Sequence, residues 1–356
     1  MDKVRCAVIG AGGFAEICHV PGLQSHPQAE VVLLCGRNEE RRQAMAARLG
    51  VPETAGDFRE VIQRADIDAI TITTPNVSHH EIALAALASG KHVFCEKPLA
   101  MSALEAESMC LDAKERGRIN QMAFTFRYTN GVSRLREMLR DGAIGTPFFV
   151  RMVGEGWGDL RPEAKVAWRH QAALAGAGML ADMGSHYFDL VSWVVGPVKE
   201  VCGLLHTVER TRPDAEGRPV RVDSDDLAHV WFRTAAGAQG EFRSSRITPS
   251  HGDSGFIEVV GDQGALMATL SRGNRDELRL LRPNGAAEQI SLPPDSQSGE
   301  TYALGRMMRA FIDSIPRGHS EPEIDPTFEA GLAAQRAQDA VLRSVSARAW
   351  QEVGGD

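Results

Sequence analysis

Along the first 124 residues, apolar and polar positions fall into two alternating kinds of run. Val4 to Ile9 is short, apolar and rich in β-branched residues, and Glu30 to Cys35, Ala69 to Thr74 and Lys91 to Cys95 repeat the theme. Runs of this length and composition predict buried strands. Longer helical stretches separate them. One follows Ala15; another, from about Ser78 to Ser89, is alanine-rich and stops at Gly90, a usual residue just past a helix end. Strand–helix alternation of this kind predicts a doubly wound α/β domain built on a parallel sheet.

After Phe124 the rhythm changes. Phe126-Arg127-Tyr128 opens a helical stretch through Arg140, and Asp141 to Gly145 reads as a turn. Strand-like runs follow at Thr146–Val153, Val198–Thr207, Asp226–Arg233, Gln239–Ser245, Phe256–Gly261 and Ala265–Leu270. Few helices separate them, so the expectation is an α+β domain with a large, mostly antiparallel open-faced sheet. A long alanine-rich helix is expected from about Phe328 to Val353. The expected division is therefore residues 1–124, 125–325 and 326–356. Segments 209–224 and 292–300, rich in Pro, Gly and charge, read as exposed loops, and there is no internal repeat.

Composition narrows the function classes. A chain of 356 residues is long for one core, which agrees with two domains. Net charge is −8 with no long run of one sign, which argues against nucleic acid or an anionic membrane as the main partner. The apolar stretches fall short of a membrane span, and the N-terminus lacks signal-peptide architecture. Six scattered cysteines form no Cys-x-x-Cys pair, so reduced thiols in a cytoplasmic protein are expected.

The candidate chemistry begins where the first strand ends. Gly10-Ala11-Gly12-Gly13-Phe14-Ala15 is a G-x-G-x-x-[G/A] pattern in the strand–turn–helix setting that dinucleotide binding requires. Gly10 permits the tight turn, Gly12 lets backbone N–H groups approach a pyrophosphate, and Ala15 allows close helix–strand packing. The second strand ends in Gly36-Arg37, with Arg41 and Arg42 one turn on, where NAD-specific enzymes usually place an acid for the ribose 2′-hydroxyl. A small residue followed by arginine suits a 2′-phosphate, so NADP(H) is preferred over NAD(H). The competing reading makes Arg37, Arg41 and Arg42 a solvated helix face, with Glu39 or Glu40 taking the hydroxyl.

Glu96-Lys97-Pro98 lies at the carboxyl end of the strand before it, the sheet edge where ligands bind in open α/β folds. Downstream, residues 176–189 read Gly-Ala-Gly-Met-Leu-Ala-Asp-Met-Gly-Ser-His-Tyr-Phe-Asp. If helical from about Asp182, then Asp182, His186 and Asp189 share one face. Two plainer readings compete: a metal site, which lacks a third strong ligand at a matching local spacing, and a structural histidine beside an N-cap aspartate. For Asp189 a structural role is at least as natural as a catalytic one. His186 is suited to general acid–base work near neutral pH. Lys97 can stabilise a developing alkoxide. Asp182 can bind a substrate hydroxyl or orient the imidazole and raise its basicity.

Fingerprint, Glu-Lys-Pro and the Asp182/His186 cluster, in this order and at these separations, resemble the glucose–fructose oxidoreductase and inositol dehydrogenase family (Gfo/Idh/MocA). The resemblance spans nearly the whole chain; Ala177 departs from the family's longer glycine run. It implies a cofactor-side loop at Thr74, Pro75, Asn76 and His79, a cofactor-side role for Glu96 and Lys97, and a cis peptide before Pro98. It places Arg169, of Trp168-Arg169, near the cluster. Arg127, Tyr128 and Arg169 are candidate substrate contacts beside Lys97, Asp182 and His186. It implies hydride transfer between nicotinamide C4 and a hydroxyl or carbonyl carbon of a sugar, inositol or related polyol. Two other readings stay open: a redox-assisted glycoside-cleaving enzyme with tightly bound nucleotide, and a non-catalytic nucleotide sensor. An exposed sheet face in the second domain predicts a homodimer or homotetramer. Specificity is expected from loops such as 154–175.

Overall fold

The computed structural model describes residues 3–156, 165–208, 210–248, 255–270, 276–293, 302–321 and 323–355. The chain forms two compact units, residues 1–125 with 297–332, and residues 126–296 with 333–356. This differs from the sequence-based division after residue 296. Helix Tyr302–Arg317, in a stretch that the sequence assigned to the second domain without naming a helix there, belongs to the first unit. Helix Phe328–Ala347 begins in the first unit and ends in the second.

In the first unit, six parallel strands are β1 (Val4–Ile9), β2 (Ala29–Cys35), β3 (Glu53–Ala55), β4 (Ala69–Ile72), β5 (His92–Cys95) and β6 (Asn120–Met122). Their order is β3-β2-β1-β4-β5-β6. The order reverses beside β1, so the carboxyl ends of β1 and β4 flank a topological switch point, the usual ligand crevice. Central strands buried on both faces explain the unbroken apolar runs: residues 6–9 of β1 and all of β4 are buried. Helix Glu39–Leu49 starts at Asn38, whose Oδ1 accepts the Arg41 N–H at 2.8 Å, and stops at Gly50 with φ +67°. Residues after 296 complete this unit. Phe311 meets Phe94 edge-on at 5.5 Å, and the Met122 N–H donates to the Pro326 carbonyl at 2.7 Å.

In the second unit, β7 (Pro147–Glu155), β8 (Val198–His206), β9 (Thr211–Pro213), β10 (Pro219–Arg221), β11 (Leu227–Thr234), β12 (Gln239–Ser245), β13 (Gly255–Gly261), β14 (Gly264–Leu270), β15 (Leu278–Leu281), β16 (Ala287–Gln289) and β17 (Gln351–Glu352) follow in sequence. Nine of them form one sheet ordered β16-β15-β14-β13-β7-β12-β11-β8-β17, antiparallel throughout except for β12 beside β7. The β9–β10 hairpin lies where an exposed loop was expected, and the last helix ends at Ala347, short of β17. Parts of the 154–175 and 292–300 segments, residues 157–164 and 294–300, lie outside the described residues.

Alternation sets the two sheet faces. Inward positions such as Val150, Met152, Val230, Phe232 and Phe242 are buried. Phe242 receives Tyr187 and Phe188 edge-on at 5.2 and 5.1 Å, from helix Ser185–Val194. Outward positions carry cross-strand ion pairs, Arg151–Glu258 at 2.9 Å, Arg243–Glu155 at 2.8 Å and Arg233–Glu200 at 2.9 Å, interleaved with exposed Trp231 and Leu204.

Candidate active site

The turn after β1 is built around Gly10. Its φ is +118°, and a Cβ there would lie 2.5 Å from Thr73 Oγ1 and 2.8 Å from the Thr73 carbonyl oxygen. Thr73 Oγ1 donates to the Gly10 carbonyl at 2.6 Å, tying the β1 turn to the end of β4. Gly13 is the opposite case. It is exposed, and a Cβ would meet nothing within 4 Å, so the missing side chain leaves room on the outside of the turn. Ala15 is fully buried. It opens a π-helical turn, Ala15–His19, continued by helix Val20–Gln24. An open glycine edge leading into a helical N-terminus fits the pyrophosphate of a dinucleotide, with Gly12, Gly13 and Phe14 at the approach.

Past β2 the structure revises the reading of Gly36. A Cβ there would lie 2.8 Å from Ala11 Cβ, so packing between two turns already demands glycine, and room for a phosphate is not needed to explain it. Arg37 and Arg41 are exposed. Arg42, mostly buried, donates from Nη1 to the Gly36 carbonyl at 3.1 Å, which fixes a guanidinium at the end of β2. Glu39 approaches that guanidinium at 3.7 Å.

At the ends of β4 and β5, Asn76 lies in a short 3-10 turn after Thr74-Pro75, and His79 begins helix His79–Ala88. The His79 ring is fully buried between two carbonyls, with Nδ1 2.8 Å from Pro98 O and Nε2 3.0 Å from Thr74 O. Burial pushes this ring below its ordinary pKa, against the pull of the two carbonyls and of Glu96. His79 therefore joins the Thr74 loop to the Pro98 carbonyl, just past the Lys97–Pro98 peptide, which is cis. Glu96 and Lys97 are both 7% exposed. Glu96 faces inward: Oε1 lies 3.1 Å from His19 Nε2, and Oε2 accepts the Lys97 N–H at 3.2 Å. Sequence reasoning missed His19, because nothing local announces a partner 77 positions away.

The second unit carries the other cluster. Helix formation begins before Asp182, as a π-helical turn Leu180–Gly184 that runs into helix Ser185–Val194. A π-turn holds more residues than an α-turn, so Asp182, His186 and Asp189 do not follow simple α-helical spacing. The three enter different surroundings. Asp182 is half-buried, with Oδ1 3.8 Å from Arg169 Nε; Arg169 also lies over the Trp168 ring at 4.3 Å. His186 is 1% exposed, its ring edge-on to Phe126 at 4.9 Å. Asp189 is buried and accepts two hydrogen bonds from Arg127, Nε to Oδ2 at 2.9 Å and Nη2 to Oδ1 at 2.5 Å. Burial pushes the Asp189 carboxyl up, and Arg127 pulls it back.

Arg127 was expected as a candidate substrate contact. Its Nε and Nη2 are bonded to Asp189, and its guanidinium lies 5.2 Å from the Trp193 ring centre, which ties it to the helix that carries His186. Tyr128 is buried, 5% exposed.

Asp225, also missed, anchors the other end of the cluster. Its two oxygens accept the Gly178 and Leu180 N–H groups at 2.5 and 2.9 Å. A Cβ on Gly178 would lie 1.8 Å from the Asp225 carbonyl oxygen, which accounts for that glycine.

A six-stranded nucleotide unit and an open mixed sheet define a two-domain, NAD-binding class of oxidoreductase. Residues 4–124 match the oxidoreductase family with an NAD-binding Rossmann fold, and residues 132–267 match the GFO/IDH/MocA C-terminal domain. Levoglucosan dehydrogenase of Pseudarthrobacter phenanthrenivorans is 30% identical over 349 residues, covering 89% of this chain and 87% of that protein. The scyllo-inositol 2-dehydrogenase (NAD(+)) of Bacillus subtilis is 26% identical over 337 residues, covering 93% of each. Among solved structures, an oxidoreductase domain protein from Kribbella flavida superimposes with a TM-score of 0.91 at 30% identity over 100% of both chains. A levoglucosan dehydrogenase complex with NADH and levoglucosan gives 0.90 at 26% identity, covering 99% of this chain and 100% of that one. The chain belongs to the Gfo/Idh/MocA oxidoreductase family. No helix among the described residues is long and apolar enough to cross a membrane.

Proposed function

We propose that this protein oxidises or reduces a sugar, inositol or related polyol at a CH–OH carbon, with NADP(H) preferred over NAD(H). The observation that carries the reading is similarity over 89% of the chain to a sugar dehydrogenase, together with the buried Lys97 at the carboxyl end of β5. When bound, the nicotinamide supplies or accepts hydride. Gly10, Gly12, Gly13, Phe14 and Ala15 hold the pyrophosphate side, and Thr74, Pro75, Asn76 and His79 shape the adjoining loop. The chain's own task is the proton. His186 takes the hydroxyl proton during oxidation and returns it during reduction. Lys97 places a cation against the same oxygen and stabilises alkoxide charge as it develops. Asp182, paired with Arg169, binds a neighbouring hydroxyl or orients the imidazole.

The NADP(H) preference is supported by the guanidinium of Arg42 at the end of β2, the exposed Arg37 and Arg41 beside it, and Gly36 in place of an acid. The six cysteines are unbridged, as a reducing cytoplasm favours. The outer face of the nine-stranded sheet, with its interleaved ion pairs and apolar side chains, supports burial against a second copy in a homodimer or homotetramer.

The first test is a thermal-shift comparison of NADP(H) with NAD(H), since a ligand of the native state raises apparent stability by RT ln(1 + [L]/Kd). Turnover is then measured on levoglucosan, myo-inositol, scyllo-inositol and glucose. Lys97→Met is expected to abolish turnover while nucleotide still binds, and His186→Ala to lose rate most near neutral pH. A fully active Lys97→Met enzyme would refute the assignment. A tighter response to NAD(H), or an Arg42→Ala protein with undiminished NADP(H) response, would remove the cofactor preference.

A further inference from the structure

We propose that His19 is a positioning residue for Lys97, acting through the Glu96 carboxylate on the Lys97 peptide. The proposal rests on the reading of Lys97 as the group that stabilises the substrate oxygen. Its path is short and wholly within the first unit. His19 Nε2 lies 3.1 Å from Glu96 Oε1, and Glu96 Oε2 accepts the Lys97 N–H at 3.2 Å. The His19 ring is fully buried and meets Phe94 edge-on at 5.4 Å. Its Nδ1 has no hydrogen-bond partner among the described residues. A proton on Nδ1 would be a buried donor without an acceptor, whereas a proton on Nε2 is received by Glu96, so the ring donates from Nε2.

This arrangement says what Glu96 does. The resemblance assigned it to the cofactor side, yet one carboxylate oxygen is held by His19 and the other holds the backbone of the next residue. Beyond Lys97 the chain is held as well, because His79 Nδ1 lies 2.8 Å from the Pro98 carbonyl oxygen. The peptide N–H of Lys97 itself is thus held through Glu96 by one buried histidine, while the second histidine holds a carbonyl one residue further on, so the Glu96 link is the one that acts directly on the Lys97 peptide. The ammonium at the end of a four-carbon stem inherits any shift of the Lys97 α-carbon. Misplacement of a catalytic group by about 1 Å can cost on the order of 100-fold in rate.

The test uses the full-length protein. Hydrogen exchange of the Lys97 amide, followed by mass spectrometry on peptides covering residues 94–101, reads the contact without any substrate. Steady-state kinetics on levoglucosan with NAD+ and NADP+ reads its consequence. His19→Leu is expected to speed exchange of the Lys97 amide and lower kcat by about 10- to 100-fold, with nucleotide KM changed less than about twofold. His19→Gln, whose amide can donate from the position of Nε2, is expected to restore both. Should His19→Leu fail to fold, His19→Asn takes its place, because the shorter amide cannot reach Glu96 and must reproduce the loss. Unchanged exchange and kcat in His19→Leu, or a Gln variant no better than Leu, would overturn the proposal. Lys97→Met separates the two ideas. If that variant is active, the reading of Lys97 fails; if it is inactive beside a fully active His19→Leu, only the role of His19 fails.

Discussion

Cutting the Arg127–Asp189 pair on one side is expected to be among the most damaging single changes in the second unit. Both side chains are buried, at 7% and 2% exposure, and the pairing is two-pronged. Arg127→Met leaves the Asp189 carboxylate in an apolar setting with no countercharge, which costs about 3–5 kcal/mol. For a unit of this size that is a fall in Tm of roughly 6–20 °C. The pH dependence has a definite sign. Burial already pushes the Asp189 carboxyl up, and removing Arg127 pushes it further. The folded variant then binds a proton that the unfolded chain releases at its ordinary carboxylate pKa, so the deficit grows as pH rises and shrinks as pH falls. Calorimetry from pH 5 to 8 reads both effects. Replacing both residues, Arg127→Met with Asp189→Leu, removes the pair without stranding a charge and should recover most of the loss. A deficit for Arg127→Met below about 1 kcal/mol, or a double variant as unstable as the sum of its parts, would refute the reasoning.

Gly10→Ala should lower Tm sharply because of its φ and the 2.5 Å approach to Thr73, whereas Gly13→Ala, facing open space, should leave Tm unchanged and weaken the nucleotide-induced thermal shift. Gly36→Ala is expected to destabilise the protein before any change in cofactor choice, because its Cβ would lie 2.8 Å from that of Ala11; a stable variant would contradict this packing. His92 Nδ1 accepts the Ile119 N–H at 3.1 Å, and burial, with Arg118 second, pushes the ring down to about 4. Its folded pKa lies below its unfolded one, so its contribution is complete above about pH 6.5 and is lost as pH falls towards about 4. A pH series of Tm should show that slope in the wild type and a flatter one in His92→Gln.

Strands β1, β2, β4, β5, β7, β8 and β11 to β14 were legible because a strand buried on both faces must be apolar throughout, and one buried on a single face must alternate; β3, β6, β15, β16 and β17 are too short to show either pattern. Helix Tyr302–Arg317 shows the limit. An amphipathic pattern says that a face is covered but not by which unit, and the partner of Phe311 is Phe94, more than 200 positions away. The β9–β10 hairpin was hidden because proline, glycine and charge dominate residues 209–224 whether or not two short strands pair there. The site residues were found by type and spacing, but their partners were not. The carboxylate that Arg127 pairs with lies 62 positions on, and the side chain that packs against Gly36, Ala11, is likewise distant in sequence. The π-turn Leu180–Gly184 left no trace in composition, since it changes the phase of a helix and not the kinds of residue in it.

The interrupted course of the first unit governs the order in which the ribosome can deliver a finished protein. Its last sheet strand is made by residue 122, yet residues 297–332 still have to arrive. Until then the surfaces of Phe94 and Gly22 that receive Phe311 and Met308 stay uncovered, and the Met122 N–H lacks its Pro326 acceptor. At about 5–20 residues per second the intervening stretch takes roughly 10–40 s to synthesise. The nascent nucleotide unit must wait through that interval with apolar surface exposed, while nearly all of the second unit is made. A gene fragment that ends at residue 125 would make the same incomplete state permanent, so a chaperone-depleted translation system should lose the fragment to aggregation while the whole chain matures.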